Sequence, residues 1–386
     1  MNVLMVDQFG EPGGAQKCLL DLIDGWPDGD TLIVAAPEKG PLLDSARLRG
    51  CTTMAIPCGP YTLGAKRFRD VRRFFGDVAR QRRVLRRTIE EDRIDVVYAN
   101  GPRVLPGAAL AARGRCPVVY HAHNPLTRGS EAALVRSALK LGGARAIACC
   151  RHAAGSMDAE VIHNGVADAG YRERQYPPAG AWRIGIAGRV SEEKGHLILL
   201  DAVRLLISEG HRMQVAIAGA SLFSPREYAN DVWREAAGLD VEFTGWTDDI
   251  GAFLRGLDVL AVPSIAEPGL PRVVLEAFSA GVPVVALASG GIAEAVRDCV
   301  TGYLASEPTA AALARRIRDV IVSPPAEIVR VARTAREEWE LYWNVERWRR
   351  DVTGAIRATA KTRGGARCDA PDVSTTTSAD QSSELA

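Results

Sequence analysis

No apolar run in the 386-residue chain approaches the roughly 20 residues that a membrane-crossing helix needs, so nothing in it reads as a bilayer span. A secretory leader is not expected either: "MNVLMVDQFG" starts at once with a strand-like apolar run that already carries Asp7. Net charge is nearly absent, since 48 Lys and Arg face 47 Asp and Glu, and composition gives no support to nucleic-acid binding. None of the eight cysteines has CxxC spacing or a clustered histidine partner, which argues against a zinc site and against a disulfide framework. Adjacent Cys149 and Cys150 close the apolar run "ARAIACC" and read as small core residues. No GxGxxG follows the first strand, which disfavours a nicotinamide enzyme. These absences leave the expectation of a reduced, cytoplasmic globular protein.

What is present is an alternation. Hydrophobic residues make up 47% of the chain, enough for more than one core, and the length suits two to three domains. Short runs such as "NVLMV", "TLIVAA", "DVVYA", "PVVYH", "AEVIHN", "WRIGIAG", "MQVAIAG", "DVLAVP" and "PVVAL" are apolar at successive positions. That pattern belongs to parallel strands covered on both faces. Helical patterns such as "KGHLILLDAVRLLISEG" lie between them and complete βαβ units, giving an α/β fold. The stretch "ADAGYRERQYPPAGA" breaks the rhythm and reads as a linker. The expected division is a first doubly wound domain over 1–168, a linker over 169–181 and a second domain over 182–340. A helix over 341–360 is expected to pack back on the first domain, with a disordered tail over 361–386. Two such domains facing across a cleft would bind ligands at the carboxyl ends of their strands.

Two segments carry candidate chemistry. In "WRIGIAGRVSEEKGHL" a strand meets Gly188, and a helix is expected to begin near Ser191. Helix-start amides attract an anion, Arg189 can fork onto two phosphate oxygens and Lys194 adds a compact charge. A solvated turn fits the segment equally well. Further on, "PSIAEPGLPRVVLEAFSAGVPVVALASGGIAEAV" sets Glu267 in a loop and Glu276 in the following helix. Carboxylates accept hydrogen bonds from sugar hydroxyls, while amides and cations take an anion, so a polyhydroxylated phosphate ester is the fitting ligand.

The set "GRVSEEKG", "VEFTGWTDDI", "LDVLAVPS" and "EPGLPRVVLEAFSAGVPVVA…GGIAEAV…TGYL" resembles family 4 of the retaining glycosyltransferases, over roughly residues 1–350 and most strongly in the second half. The resemblance implies the GT-B architecture, two Rossmann-like doubly wound domains facing across a cleft that holds the active site. It assigns Arg189 and Lys194 to the diphosphate of a nucleotide-sugar, Glu276 to the ribose hydroxyls, and Glu267 to the donor sugar and the positive charge at its anomeric carbon. The family usually has seven residues between these glutamates; here there are eight, the extra one falling at Pro268 or Gly269. Leu270 and Pro271 in the same loop are candidate sugar or acceptor contacts.

In the first domain, "DQFGEPGGAQKCLLDLI" puts Gly13 and Gly14 at the start of a helix, and the resemblance places this turn near the donor phosphates. "VVYHAHNPL" ends a strand with His121 and His123. The HxH spacing is compatible with a metal, but no third ligand is evident. The resemblance calls for one active-site histidine here; His121 suits the strand end, and the alternative register makes it His123. Asn100 and Arg103 in "YANGPR" lie at another strand end, as acceptor contacts or caps. "VIHNGV" suits a turn with positive φ at Asn164 and Gly165. The arginine-rich segment 66–93 has apolar residues at helical spacing, and reads either as a helix packed on the first sheet or as one lying on an anionic membrane.

The function expected from these features is retaining transfer of a sugar from a UDP- or GDP-sugar to a saccharide, glycolipid or small-molecule acceptor, in cell-surface polysaccharide or glycoconjugate synthesis. Glu267 and His121 are the candidate catalytic residues. No metal or other cofactor is expected, because cations and helix amides would stabilise the leaving diphosphate. The location is cytoplasmic or peripheral at the inner face of the membrane. A sugar-nucleotide epimerase of the same architecture, or a non-catalytic sugar-nucleotide-binding protein, is the alternative.

Overall fold

A computed structural model describes residues 1–59, 68–220 and 226–364. Seven strands build the first sheet: β1 (Asn2–Asp7), β2 (Thr31–Ala36), β3 (Thr52–Ala55), β4 (Val96–Asn100), β5 (Val118–Ala122), β6 (Arg145–Ala148) and β7 (Glu160–Val161). Six build the second: β8 (Trp182–Ala187), β9 (Met213–Ala218), β10 (Val241–Gly245), β11 (Val259–Val262), β12 (Val284–Leu287) and β13 (Tyr303–Ala305). The orders are β3-β2-β1-β4-β5-β6-β7 and β10-β9-β8-β11-β12-β13, with parallel pairing throughout. Each order reverses once, between β1 and β4 and between β8 and β11. These reversals open a crevice beyond the strands' carboxyl ends, where an α/β sheet takes its ligands.

The unbroken apolar strands have a direct cause. Val3 and Met5 pack on one face of β1 with Leu19 and Trp348, while Leu4 and Val6 pack on the other with Leu85 and Leu105. Both faces are covered, so neither set can be polar. Trp348 comes from the last helix, Val345–Gly364, which crosses back to the first sheet. The chain leaves the first domain beside Val166, which pairs with Asn344 where the chain returns. Gly165 sits at this crossing without a positive φ; a Cβ there would come 2.3 Å from the Asn344 carbonyl oxygen, so close approach, not turn geometry, requires glycine.

Other expectations change in the same way. The strand β13 escapes a pattern search because only three residues form it, and "AEVIHN" shrinks to the two residues of β7. Helix runs through residues 361–364, so the expected tail cannot begin at 361; residues 365–386 lie outside the described residues. Cys149 and Cys150 are buried as expected, but in a shared core with Leu270, Val274 and Phe278 of the second domain. The stretch read as a linker is fastened to the second domain. The Arg174 guanidinium donates to the carbonyls of Leu254, Leu257, Ala280 and Gly281. It thereby caps the C-terminal ends of the helices Ile250–Arg255 and Arg272–Ala280. Tyr176 and Trp182 stack beside it, their ring centroids 5.7 Å apart.

The segment read as a basic helix is divided. Residues 66 and 67 lie outside the described residues, and the helix Phe68–Glu91 packs Val78, Leu85 and Ile89 inward. Its first turns leave Phe68 at 83% and Phe75 at 58% exposure, with Val71 also exposed. No described helix is long and apolar enough to cross a membrane.

Replacing Arg174 by Ala strips four carbonyls of a charged donor, which costs on the order of 3 kcal/mol. A urea midpoint for the second domain that does not fall in the Arg174→Ala variant would remove the anchoring role.

Candidate active site

The second domain's half of the crevice is built on the turn after β8 and the loop after β11. The turn contains a single 3₁₀ turn, Glu192–Lys194, and the helix proper starts only at His196. That corrects the expected start near Ser191. Gly195 between them has φ +72°, and a Cβ there would fall 2.0 Å from the Pro263 carbonyl oxygen. Glycine therefore lets the Lys194 turn lie against the β11 loop. The consequence is an ion pair: Lys194 Nζ stands 2.6 Å from Glu267 Oε2, with both side chains largely buried. The extra residue between the glutamates does not keep Glu267 from this contact. Arg189 is more open and meets Glu193 Oε1 at 3.0 Å.

Glu276 lies deeper, on the helix Arg272–Ala280. Its Oε1 is 3.5 Å from Lys17 Nζ of the first domain and 3.6 Å from Arg272 Nε. Arg272 in turn reaches Asp21 of the first domain at 2.8 Å and donates to the Gly165 carbonyl. A cavity of about 340 Å³ opens beside these charges, lined also by Asp248, Asp249 and Arg255. Lys17, Asp21 and Arg272 had no place in the sequence reading. Their only signal was charge on two helices, and 259 residues separate Lys17 from Glu276. Leu270 is sunk in the shared core, so its side chain is not available to a sugar. Pro271 is also buried and precedes the first turn of the Glu276 helix.

The first domain contributes a helix start and a polar floor. The helix Gly14–Asp24 begins after an extended Gly13, and a Cβ on Gly14 would meet nothing within 4 Å. The start of this helix therefore has room beside Gly14, as an anion site requires. His121 is completely buried and its Nδ1 lies 2.5 Å from the Tyr98 hydroxyl. His123 lies against it with the rings tilted by 35° and centroids 4.1 Å apart, is only half-buried, and pairs with Asn100 Oδ1 at 2.7 Å. As the chain is placed, His123 reaches the cleft and His121 lies behind it. Asn100 joins His123 to buried Asp7. Arg103 lies over the Phe9 ring at 4.9 Å. Among the described residues, no three His, Cys, Asp or Glu side chains are grouped to hold a metal ion.

Residues 12–169 match the family Glycosyltransferase Family 4, and residues 181–322 match Glycosyl transferases group 1. The chain belongs to the family 4, GT-B type glycosyltransferase family. It is 33% identical over 165 residues to 2-deoxystreptamine glucosyltransferase of Streptomyces kanamyceticus, a match covering 42% of this chain and 41% of that one. The match thus spans less than half of that relative's length. Phosphatidyl-myo-inositol mannosyltransferase of Mycobacterium leprae is 28% identical over 365 residues, covering 86% of this chain and 91% of its own. In fold, Anabaena HepE in complex with UDP-glucose superposes with a TM-score of 0.77 at 24% identity, over 93% of this chain and all of that one. Sucrose-phosphate synthase of Thermosynechococcus elongatus gives 0.74 at 18% identity, over 94% and 100%.

Burial also sets how this family 4 protein responds to acid. It lowers the His121 pKa well below the usual imidazole value, and lowers those of His123 and His196 to about 4; the Arg272 charge also acts on His123. Each imidazole stays neutral in the fold at a pH where the unfolded chain takes up a proton. Their contribution to stability is intact above pH 6.5 and is lost as pH falls toward 4. Burial raises Asp7 to about 6, so its contribution has the opposite sign and is lost as pH rises from 3.8 to 6. Three imidazoles outweigh one carboxyl, and in this group stability falls by at most about 3 kcal/mol per pH unit on acidification. A His196→Leu variant should lose melting temperature less steeply between pH 7 and 5 than the parent. Parallel curves would remove burial of His196 as a cause.

Proposed function

We propose that the protein moves a sugar from a nucleoside diphosphate sugar to a hydroxyl-bearing glycan or lipid-linked acceptor, with retention of configuration and without a metal. The observation that carries this reading is the Lys194–Glu267 pair at the β8–β11 reversal. A cation and a carboxylate 2.6 Å apart offer adjacent seats for a phosphate and for the sugar attached to it. Arg189 and the amides from Gly14 onward supply further positive potential for the departing diphosphate. Glu276 accepts from the ribose hydroxyls in exchange for its contacts with Lys17 and Arg272. A leaving diphosphate stabilised in this way takes the acceptor's proton itself, and no protein base is required. UDP is the nucleotide to test first, because the structurally similar HepE was crystallised with UDP-glucose; GDP is the second.

The exposed end of the helix Phe68–Glu91 supports a site of attachment for a lipid-linked acceptor. Phe68, Val71 and Phe75 stand clear of the core beside exposed Arg69, Arg72 and Arg73. Aromatic rings and guanidinium groups on one helix end suit the interface of an anionic bilayer.

Lys194→Ala and Arg189→Ala should each lower kcat/KM by about 100-fold or more with an unchanged circular dichroism spectrum. Turnover equal to the parent's would overturn the diphosphate assignment. Excess EDTA should leave the rate unaltered, and strong inhibition would reveal metal dependence. Free nucleotide must appear only with transferred sugar; interconversion of sugar nucleotides alone indicates an epimerase, and binding without turnover a non-catalytic protein. Phosphatidylglycerol vesicles should co-sediment with the protein at low salt, and a Phe68→Ser/Phe75→Ser variant should stay in solution. Equal sedimentation of both proteins rules this helix end out as the attachment point.

A further inference from the structure

A line of hydrogen-bonded side chains at the carboxyl ends of β1, β4 and β5 is not used by the transfer chemistry above. Asp7 is fully buried; its Oδ1 accepts from the Phe9 amide at 2.8 Å and from Gln16 Nε2 at 2.7 Å. Its Oδ2 accepts from Asn100 Nδ2 at 2.5 Å, and the same nitrogen donates to the Ala15 carbonyl at 3.2 Å. Two acceptors therefore fix the orientation of the Asn100 amide, because the flipped group would set oxygen against oxygen at both. Asn100 Oδ1 then faces His123 Nε2 at 2.7 Å. A carbonyl oxygen only accepts, so this nitrogen carries the proton. With its pKa lowered by burial and by Arg272, the imidazole is neutral, and Nδ1 keeps a free lone pair.

His123 also stands opposite the donor loop. A Cβ on Gly269, two residues after Glu267, would come 2.7 Å from the His123 carbonyl oxygen. The His123 backbone, with Cys149 beside it, is thus brought up against the loop of Glu267.

We propose that Asp7 and Asn100 are positioning residues that hold His123 in its Nε2–H tautomer, so that Nδ1 meets the cleft ligand as a hydrogen-bond acceptor for a sugar hydroxyl. The identity of the ligand rests on the sugar-transfer reading; the tautomer is a property of the protein alone. An acceptor at this place selects by chemistry. A hydroxyl can donate to it, whereas a phosphate or carboxylate oxygen meets only a lone pair. The diphosphate is thereby favoured on the wall of Arg189 and Lys194, and hydroxyl-bearing parts on the wall of His123.

The test combines nitrogen NMR of the ¹⁵N-labelled full chain at pH 7.5 with turnover. His123 should show a protonated Nε2 and a bare Nδ1. In Asp7→Asn, the new carbonyl stays with Phe9 and Gln16 while the new amide nitrogen points at Asn100. Asn100 is then expected to turn, giving up its donation to the Ala15 carbonyl, to present its own nitrogen to His123 and drive the proton to Nδ1. Turnover should fall at least tenfold, with the affinity for UDP or GDP changed less than twofold. The double exchange Asp7→Asn/Asn100→Asp returns an acceptor to Nε2–H and should restore the parent tautomer and raise turnover again. A merely structural role predicts no such restoration. A parent spectrum with the proton on Nδ1 overturns the proposal, as does an inverted tautomer in Asp7→Asn with parental turnover. Should the parent consume no sugar nucleotide, the transfer reading fails, while the tautomer measurement still decides this one.

Discussion

One buried cation governs how the two domains meet. Arg272 is 9% exposed and stands between Asp21 of the first domain and Glu276 of its own helix, with the Gly165 carbonyl beside it. Taking a guanidinium out of water is costly unless carboxylates and carbonyls surround it, and here they come from both domains. The arrangement works only with the domains face to face. Burial keeps the His123 imidazole neutral, and the same charge acts on it in the same direction across the cleft. Glu294 adds a second tie from the other edge: its carboxylate accepts from the amides of Arg151 and His152 at 2.9 Å and pairs with His163 at 2.8 Å. The ties leave the Lys194 turn and the start of the helix at Gly14 on facing sides of one crevice.

The sequence was legible where a signal is local and repeated. Strands buried on both faces announce themselves as unbroken apolar runs, and strands that alternate with helical patterns imply two parallel sheets. Arg189, Lys194, Glu267 and Glu276 stood out because a glycine turn or a carboxylate at a helix is local chemistry. What was not legible depends on distance or on neighbours. Nothing near Arg272 in the chain tells that Asp21 will face it. Arg174 looked like part of a polar linker because its partners, carbonyls at two helix ends, carry no side-chain signature. The choice between His121 and His123 could not be made from HxH spacing, since both point to the same side of the strand. The neighbouring strand separates them: the Tyr98 hydroxyl pairs with the buried His121 ring, and Asn100 pairs with the half-buried His123 ring.

The glycines repeat this lesson on a smaller scale. Gly165 reads as a turn residue, yet it is needed because the returning chain at Asn344 passes too close for a Cβ. Gly195 does have a positive φ, but the same Cβ would also strike the Pro263 carbonyl. In both places the constraint is another segment of backbone, far off in sequence, which the local motif reflects without naming.

The two walls of the crevice differ in electrical character, and the difference follows from their neighbours. On the second domain, Arg189 and Lys194 each have a carboxylate at hand, Glu193 and Glu267. Those pairs keep cations in a partly buried place without an anion present, and they leave phosphate oxygens a partner to compete for. On the first domain, His121 and His123 are stripped of charge by burial, and Asn100 is neutral by nature. A reaction that separates a diphosphate from a sugar needs this division. The growing negative charge belongs beside fixed cations, while the hydroxyl-rich sugar needs directional partners that will not draw the leaving group back. A single protonated histidine on the first wall would blur that contrast, and burial against Tyr98 and Arg272 prevents it.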